Sequence, residues 1–120
     1  MLVPLIIWPG FILITGGDLQ KAWRLAEMAH TRFPQAPQIM DTLGWVYYHS
    51  ESYERALSLF TKAVDLAPGD PLLHYHLGLT QTRQGDVLAA RTSLAKALEL
   101  DPNFSEADKA REMIAGWERR

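Results

Sequence analysis

Residues 37–70, PQIMDTLGWVYYHSESYERALSLFTKAVDLAPGD, and residues 71–104, PLLHYHLGLTQTRQGDVLAARTSLAKALELDPNF, align with each other without a gap. Gly44 meets Gly78, Ala56 meets Ala90, Ala63 meets Ala97 and Pro68 meets Pro102. Counting back by the same 34 residues brings in Gly10, Ala22, Ala29 and Pro34. Columns that keep one period through three copies identify a chain built from a repeated unit, and the unit must be recognised before any element is assigned.

Each unit reads as two helices. In the first half of 37–70, Met40, Leu43, Gly44 and Tyr47 follow the i, i+3, i+4, i+7 stripe of one helix face. After a polar break at Ser50–Ser52, the set Tyr53, Ala56, Leu57, Phe60, Ala63 and Val64 repeats that stripe. The next unit does the same with Leu73, Leu77 and Gly78, then Val87, Ala90, Leu94, Ala97 and Leu98. Gly85 and Asp86 supply a permissive backbone position and an N-cap oxygen between its helices, as Gly17 and Asp18 do two units earlier, in the first copy. Gly44 and Gly78 lie on buried stripes, where a missing side chain lets the paired helix come close, and Ala56 and Ala90 reciprocate. A glycine inside a helix costs about 1 kcal/mol against alanine, so the close packing must return more. Pro34, Pro68 and Pro102 stop the second helix of each unit, because proline has no N–H to continue the ladder.

These residues resemble the tetratricopeptide repeat family. Its run of Leu-Gly, Tyr, Ala, Phe, Ala and Pro is matched by Leu43, Gly44, Tyr47, Ala56, Phe60, Ala63 and Pro68, and then by Leu77, Gly78, Ala90, Leu94, Ala97 and Pro102. Met40 and His74 stand where the family often has Trp, and Gln81 where it often has Tyr. The resemblance implies an all-α fold, a right-handed superhelical stack of antiparallel helix pairs, forming a single domain. Its parts are a degenerate first repeat at 3–36, repeats at 37–70 and 71–104, and a capping helix at 105–120. It further implies a protein-interaction module, a scaffold or assembly factor. The chain looks like the C-terminal repeats of bacterial members, including those associated with envelope assembly and exopolysaccharide export, and like a section of a longer repeat protein; cytoplasm and periplasm both fit.

The two ends depart from the unit. Met1–Ile14 carries no charged side chain, yet at 14 residues with Pro4 and Pro9 it is too short and too broken for a spanning helix. It also lacks the basic start of a secretory signal. In register it occupies the first helix of the earliest repeat, Val3–Gly16, with Ile6, Leu13, Trp23, Ala26 and Ala29 as a buried stripe, and Pro9 is expected to break, shorten or displace that helix. Its apolar side chains, Ile7, Trp8, Phe11 and Ile14, are candidates for contact with another copy. At the other end Ser105 reads as an N-cap with Asp108 three residues on. Glu112 occupies the glycine column, which marks a solvating cap.

Composition narrows the chemistry. With 12 basic and 14 acidic residues in 120, nucleic acid is not an expected partner. The absence of cysteine removes thiolate metal sites and thiol nucleophiles. His74 and His76 point to different sides of one helix, and His30 and His49 stand alone, so no metal is expected. Asp41 and His76 form the one acid–imidazole pair on a common surface, without a serine or glycine-rich loop beside them. No enzyme, cofactor or membrane partner is expected.

What remains is the inner curve of the stack. The first helix of each unit should line it with Asp41, Trp45, Tyr48 and His49, then Leu72, Tyr75, His76, Leu79 and Arg83, with Lys109 and Met113 from the cap. Aromatic side chains give large, rigid contact area to a bound segment. Some family members hold a peptide carboxylate there with lysine, asparagine and arginine; Asp41, Trp45, Tyr75 and His76 depart from that pattern. The expected ligand is an apolar or aromatic protein segment oriented by Asp41, Arg83 and Lys109. The rival reading is self-assembly or autoinhibition through the apolar N-terminal segment.

Overall fold

Glycine columns and proline stops translate directly into helix pairs. The computed structural model describes residues 6–7, 13–14 and 19–119. Its helices are α1 (Leu19–Arg32), α2 (Pro37–His49), α3 (Tyr53–Leu66), α4 (Pro71–Arg83), α5 (Val87–Leu100) and α6 (Ala107–Glu118). α2 packs on α3 and α4 on α5 as tight pairs, α1 and α3 pack on the first helix of the following unit, and α6 lies on α5.

The close approaches occur where the small residues sit. A Cβ at Gly44 would stand 2.7 Å from the Phe60 ring, and one at Gly78 would stand 2.8 Å from Leu94. Ala56, Phe60, Ala63, Ala90, Leu94 and Ala97 are fully buried. α4 and α5 each begin on an aspartate: Asp70 Oδ1 accepts from the Leu72 N–H at 3.0 Å, and Asp86 Oδ1 from the Ala89 N–H at 3.2 Å. His74 belongs to this framework, since its Nε2 lies 2.9 Å from the Pro68 carbonyl oxygen. Gly85 adopts φ +82°, and Glu51, in the same column, adopts φ +63°.

Three expectations are corrected. Where register placed a first helix, Ile6–Ile7 (β1) and Leu13–Ile14 (β2) form an antiparallel pair, Ile6 opposite Ile14 and Ile7 opposite Leu13. Residues 6–14, rich in Ile with Trp8 and Phe11 and interrupted by Pro9 and Gly10, have low helix propensity and suit extended backbone. Trp8, Pro9 and Phe11 lie outside the described residues, as do Gly17 and Asp18. Trp23 is not on a buried stripe: it is 37 % exposed, and its indole N–H donates to the Tyr47 hydroxyl at 3.0 Å. Ser105 is not an N-cap either. α6 begins at Ala107 after Glu106 with no side-chain cap, because Phe104 turns inward to be buried against Tyr75 and Asp108 is engaged by Arg111 at 2.9 Å.

Candidate docking groove

Residues 34 apart share one direction in the stack, so the inner face can be read column by column. Trp45, Leu79 and Met113 form one column, and all are half-buried. They make a ladder of apolar side chains with one rung on each of α2, α4 and α6. Leu72 and Leu79, one stripe of α4, and Met113 of α6 pack against Tyr75, Phe104, Ala107 and Ala110. Arg83 and Lys109 are exposed beside the ladder, and Lys109 Nζ is 3.2 Å from Glu106.

Asp41, Tyr75 and His76, expected on the open face, are instead buried. His76 Nδ1 lies 2.6 Å from Asp41 Oδ1, joining α2 to α4. Neither group can be left alone away from water, so each supplies the partner that makes burial of the other tolerable. Tyr75 is drawn in by its edge contact with Phe104, centroids 5.7 Å apart. Burial, with lesser contributions from Glu106 and Tyr48, pushes its phenol up to about 12.

Aromatic rings close over the Asp41–His76 pair. Trp45 lies 4.4 Å from the His76 ring and stacks on Tyr48 at 5.0 Å with 7° between planes. His49 meets Trp45 edge-on, and burial holds its imidazole below the ordinary value, helped by the charges of Arg83 and His76. Arg83 Nε donates to the Tyr48 hydroxyl at 3.1 Å, a bond that raises the guanidinium pKa further. Two polar atoms of this stack, Trp45 Nε1 and His49 Nε2, are shielded and have no hydrogen-bond partner among the described residues. A hollow of about 540 Å³ lies at the turn end beside the stack, lined by residues of both charges such as Glu51, Glu54, Arg55 and Arg83.

Chemically, this surface offers contact area and hydrogen bonds. The Asp41–His76 pair is enclosed by Trp45, Phe60 and Tyr75 rings, with no nucleophile among its polar contacts. Among the described residues no group of three or more His, Cys, Asp or Glu side chains could hold a metal ion. Sequence reasoning named Asp41 and His76 as an acid–imidazole pair on one surface, and the structure brings them into direct contact but buries them. The signal for the contact was available, since the two are 35 residues apart, neighbouring columns of successive units.

Sequence profiles described as "Tetratricopeptide repeat" match residues 47–114 and residues 12–71. The chain belongs to the tetratricopeptide repeat family. It is 26% identical over 101 residues to the BBSome complex member BBS4 of Mus musculus, covering 84% of this chain and 19% of that protein. The chain therefore spans about a fifth of the length of that relative. Among solved structures, the Thermobaculum terrenum O-GlcNAc transferase (mutant K341M) is similar with a TM-score of 0.72 and 32% identity, over 76% of this chain and 18% of that one. The Yersinia enterocolitica type III secretion chaperone SycD, in complex with a peptide of the translocator YopD, superposes with a TM-score of 0.77 at 16% identity, covering 83% of this chain and 79% of that one. This last likeness is one of fold.

Proposed function

We propose that this tetratricopeptide domain is a non-enzymatic docking module whose inner ladder, Trp45–Leu79–Met113, receives an apolar or aromatic segment of a protein partner. The observation that carries the reading is the half-buried state of all three rungs in one column. A stack that sealed this column completely would leave nothing to bind, and side chains standing free would carry no defined shape. Arg83 and Lys109 flank the ladder and favour a carboxylate on the segment. The SycD fold neighbour, solved with a translocator peptide, supports the same kind of use.

The test is to pan a random dodecapeptide library against the chain and titrate the enriched sequences by fluorescence anisotropy. Enriched peptides should carry aromatic or aliphatic residues with an acid nearby. Leu79→Ser and Met113→Ser should each weaken binding about tenfold or more, the effect of losing a central contact residue. Trp45→Ala should also weaken it. Unchanged affinity in all three variants would remove the ladder as the site.

A second reading is favoured by the β1–β2 pair. A two-stranded ribbon has open edges that can pair with another copy, and Ile7 and Ile14 lie on those strands. Light scattering of the chain with and without residues 1–15 tests it: loss of an oligomer on deletion supports self-association, and a monomer at every concentration removes it.

A further inference from the structure

The second helix of each unit has one side for the first helix of its own unit and another for the first helix of the next. Ser93 marks the own-unit side on α5, because its hydroxyl donates to Gln81 Oε1 of α4 at 2.7 Å and the residue is 8 % exposed. Leu59, in the same column on α3, is 9 % exposed and clusters with Met40 and Leu43 of α2. Leu25 holds this column on α1, and it is 61 % exposed. Ala29 is likewise partly open where Ala63 and Ala97 are sealed. α1 thus covers its other side against α2 through Ala22 and Ala26, and shows an uncovered apolar seam of Leu25, Ala29 and, past its end, the exposed Phe33. Register assigns residues 3–16 to that seam as a helix, and the described part of them is strand-paired instead.

Charge specifies the occupant. α1 carries Lys21, Arg24 and Arg32 against Glu27 alone, whereas the whole chain has a net charge of −2. Glu27 is already engaged, accepting from the Tyr47 hydroxyl at 3.2 Å. Lys21 and Arg32 lie on the Leu25 stripe, four and seven residues to either side. A second copy docked by two-fold symmetry would run antiparallel and set Lys21 of one against Arg32 of the other, a like-charge contact at both ends.

We propose that the open side of α1 docks an amphipathic helix of a protein partner, antiparallel to α1, with an apolar stripe over Leu25 and Ala29 and acidic residues at its ends facing Lys21 and Arg32. The helix completes the first unit as α2 completes the second, and the small, partly open Ala29 leaves room for larger partner side chains. This surface is distinct from the inner ladder and does not depend on it.

The probe is a stapled helical peptide presenting the Met40, Leu43, Gly44 and Tyr47 stripe of α2 on an alanine background, with glutamates at both ends, and a twin with lysines there. Titrated against the full chain at low salt, the glutamate peptide should bind about tenfold or more tightly than its twin. Leu25→Ser, at an exposed position that leaves the fold intact, should weaken it about tenfold. Arg32→Glu should abolish the preference between the twins, and Lys21→Glu with Arg32→Glu should reverse it. Leu79→Ser on the inner ladder should leave the affinity unchanged. Equal binding of both peptides, no binding of either, indifference to Leu25→Ser, or loss on Leu79→Ser would each overturn the proposal. So would a dimer that Leu25→Ser dissociates, since the seam would then belong to a second copy.

Discussion

The joint between α2 and α4 and the joint between α4 and α6 occupy equivalent places in the stack and are built from opposite materials. The first is polar at its centre and aromatic around it: Asp41 bonded to His76, roofed by Trp45 and Tyr48, with Phe60 beneath. The second is aliphatic, with Leu72, Leu79, Met113 and Ile114 around Tyr75, Phe104 and Ala110. The polar joint is directional, since its bond fixes distance and orientation, and its rings occupy much of their own inner face. The aliphatic joint is held by area alone and keeps its surface available. One fold unit repeated twice therefore gives a rigid junction and a receptive one, and the difference lies in a few side chains at matching columns.

The comparison can be broken most strongly from beneath the polar joint. Phe60→Ala removes a fully buried ring that touches Gly44 and His76, and should cost about 4 kcal/mol by urea denaturation. Leu94→Ala in the next unit should cost about 3 kcal/mol. A larger loss at Leu94 would contradict the view that the first joint anchors the stack.

The pair itself comes next. Asp41→Ala strands a buried imidazole and should cost about 2–3 kcal/mol. Replacing both partners, Asp41→Leu with His76→Phe, should recover most of that. A double variant as unstable as the single one would show that the pair contributes more than mutual satisfaction.

Glu51 offers a smaller effect of opposite sign. It holds φ +63° in the column where Gly85 holds φ +82°, a conformation that costs a residue with a Cβ about 1 kcal/mol. Glu51→Gly should stabilise the chain by roughly 0.5–1 kcal/mol, while Gly85→Ala should destabilise it by a similar amount. The melting temperature reads both.

The mildest effect is alkaline and belongs to the aliphatic joint. The folded chain holds the Tyr75 proton more tightly than the unfolded chain, where the phenol titrates near 10. Its contribution is complete below pH 10 and is lost as pH rises through about 12. Tyr75→Phe should flatten the stability profile in that window, and absorbance titration of the phenolate should show the late ionisation.

Much of the fold was legible because close helix packing leaves few choices. Gly44 against Phe60 and Gly78 against Leu94 are readable as sequence, since only a missing side chain admits the neighbour. The ladder was partly legible, in that Trp45, Leu79 and Met113 were all named by helical position. Asp41, Tyr75 and His76 were placed on the same face by the same reasoning and turned inward, because periodicity gives direction around a helix and says nothing of which neighbour covers it. The N-terminal segment misled for a different reason. A single in-phase glycine, Gly10, set Val3–Gly16 on the helical register, whereas Ile6–Ile7 and Leu13–Ile14 follow their local preference for extended backbone. Leu25 was in plain view as an apolar residue, and its exposure is read only from the structure.

The Asp41–His76 bond also bears on how the molecule yields to force. Stacked units hold mainly to their neighbours, so a chain pulled from its termini comes apart from the outside inward. α1 can peel from one end, and α6 from the other, by giving up exposed side-chain bonds such as Trp23 to Tyr47 and Arg91 to Glu118. Separating α2 from α4 requires breaking a buried 2.6 Å bond between Asp41 and His76, which places the mechanical clasp of the domain at its middle.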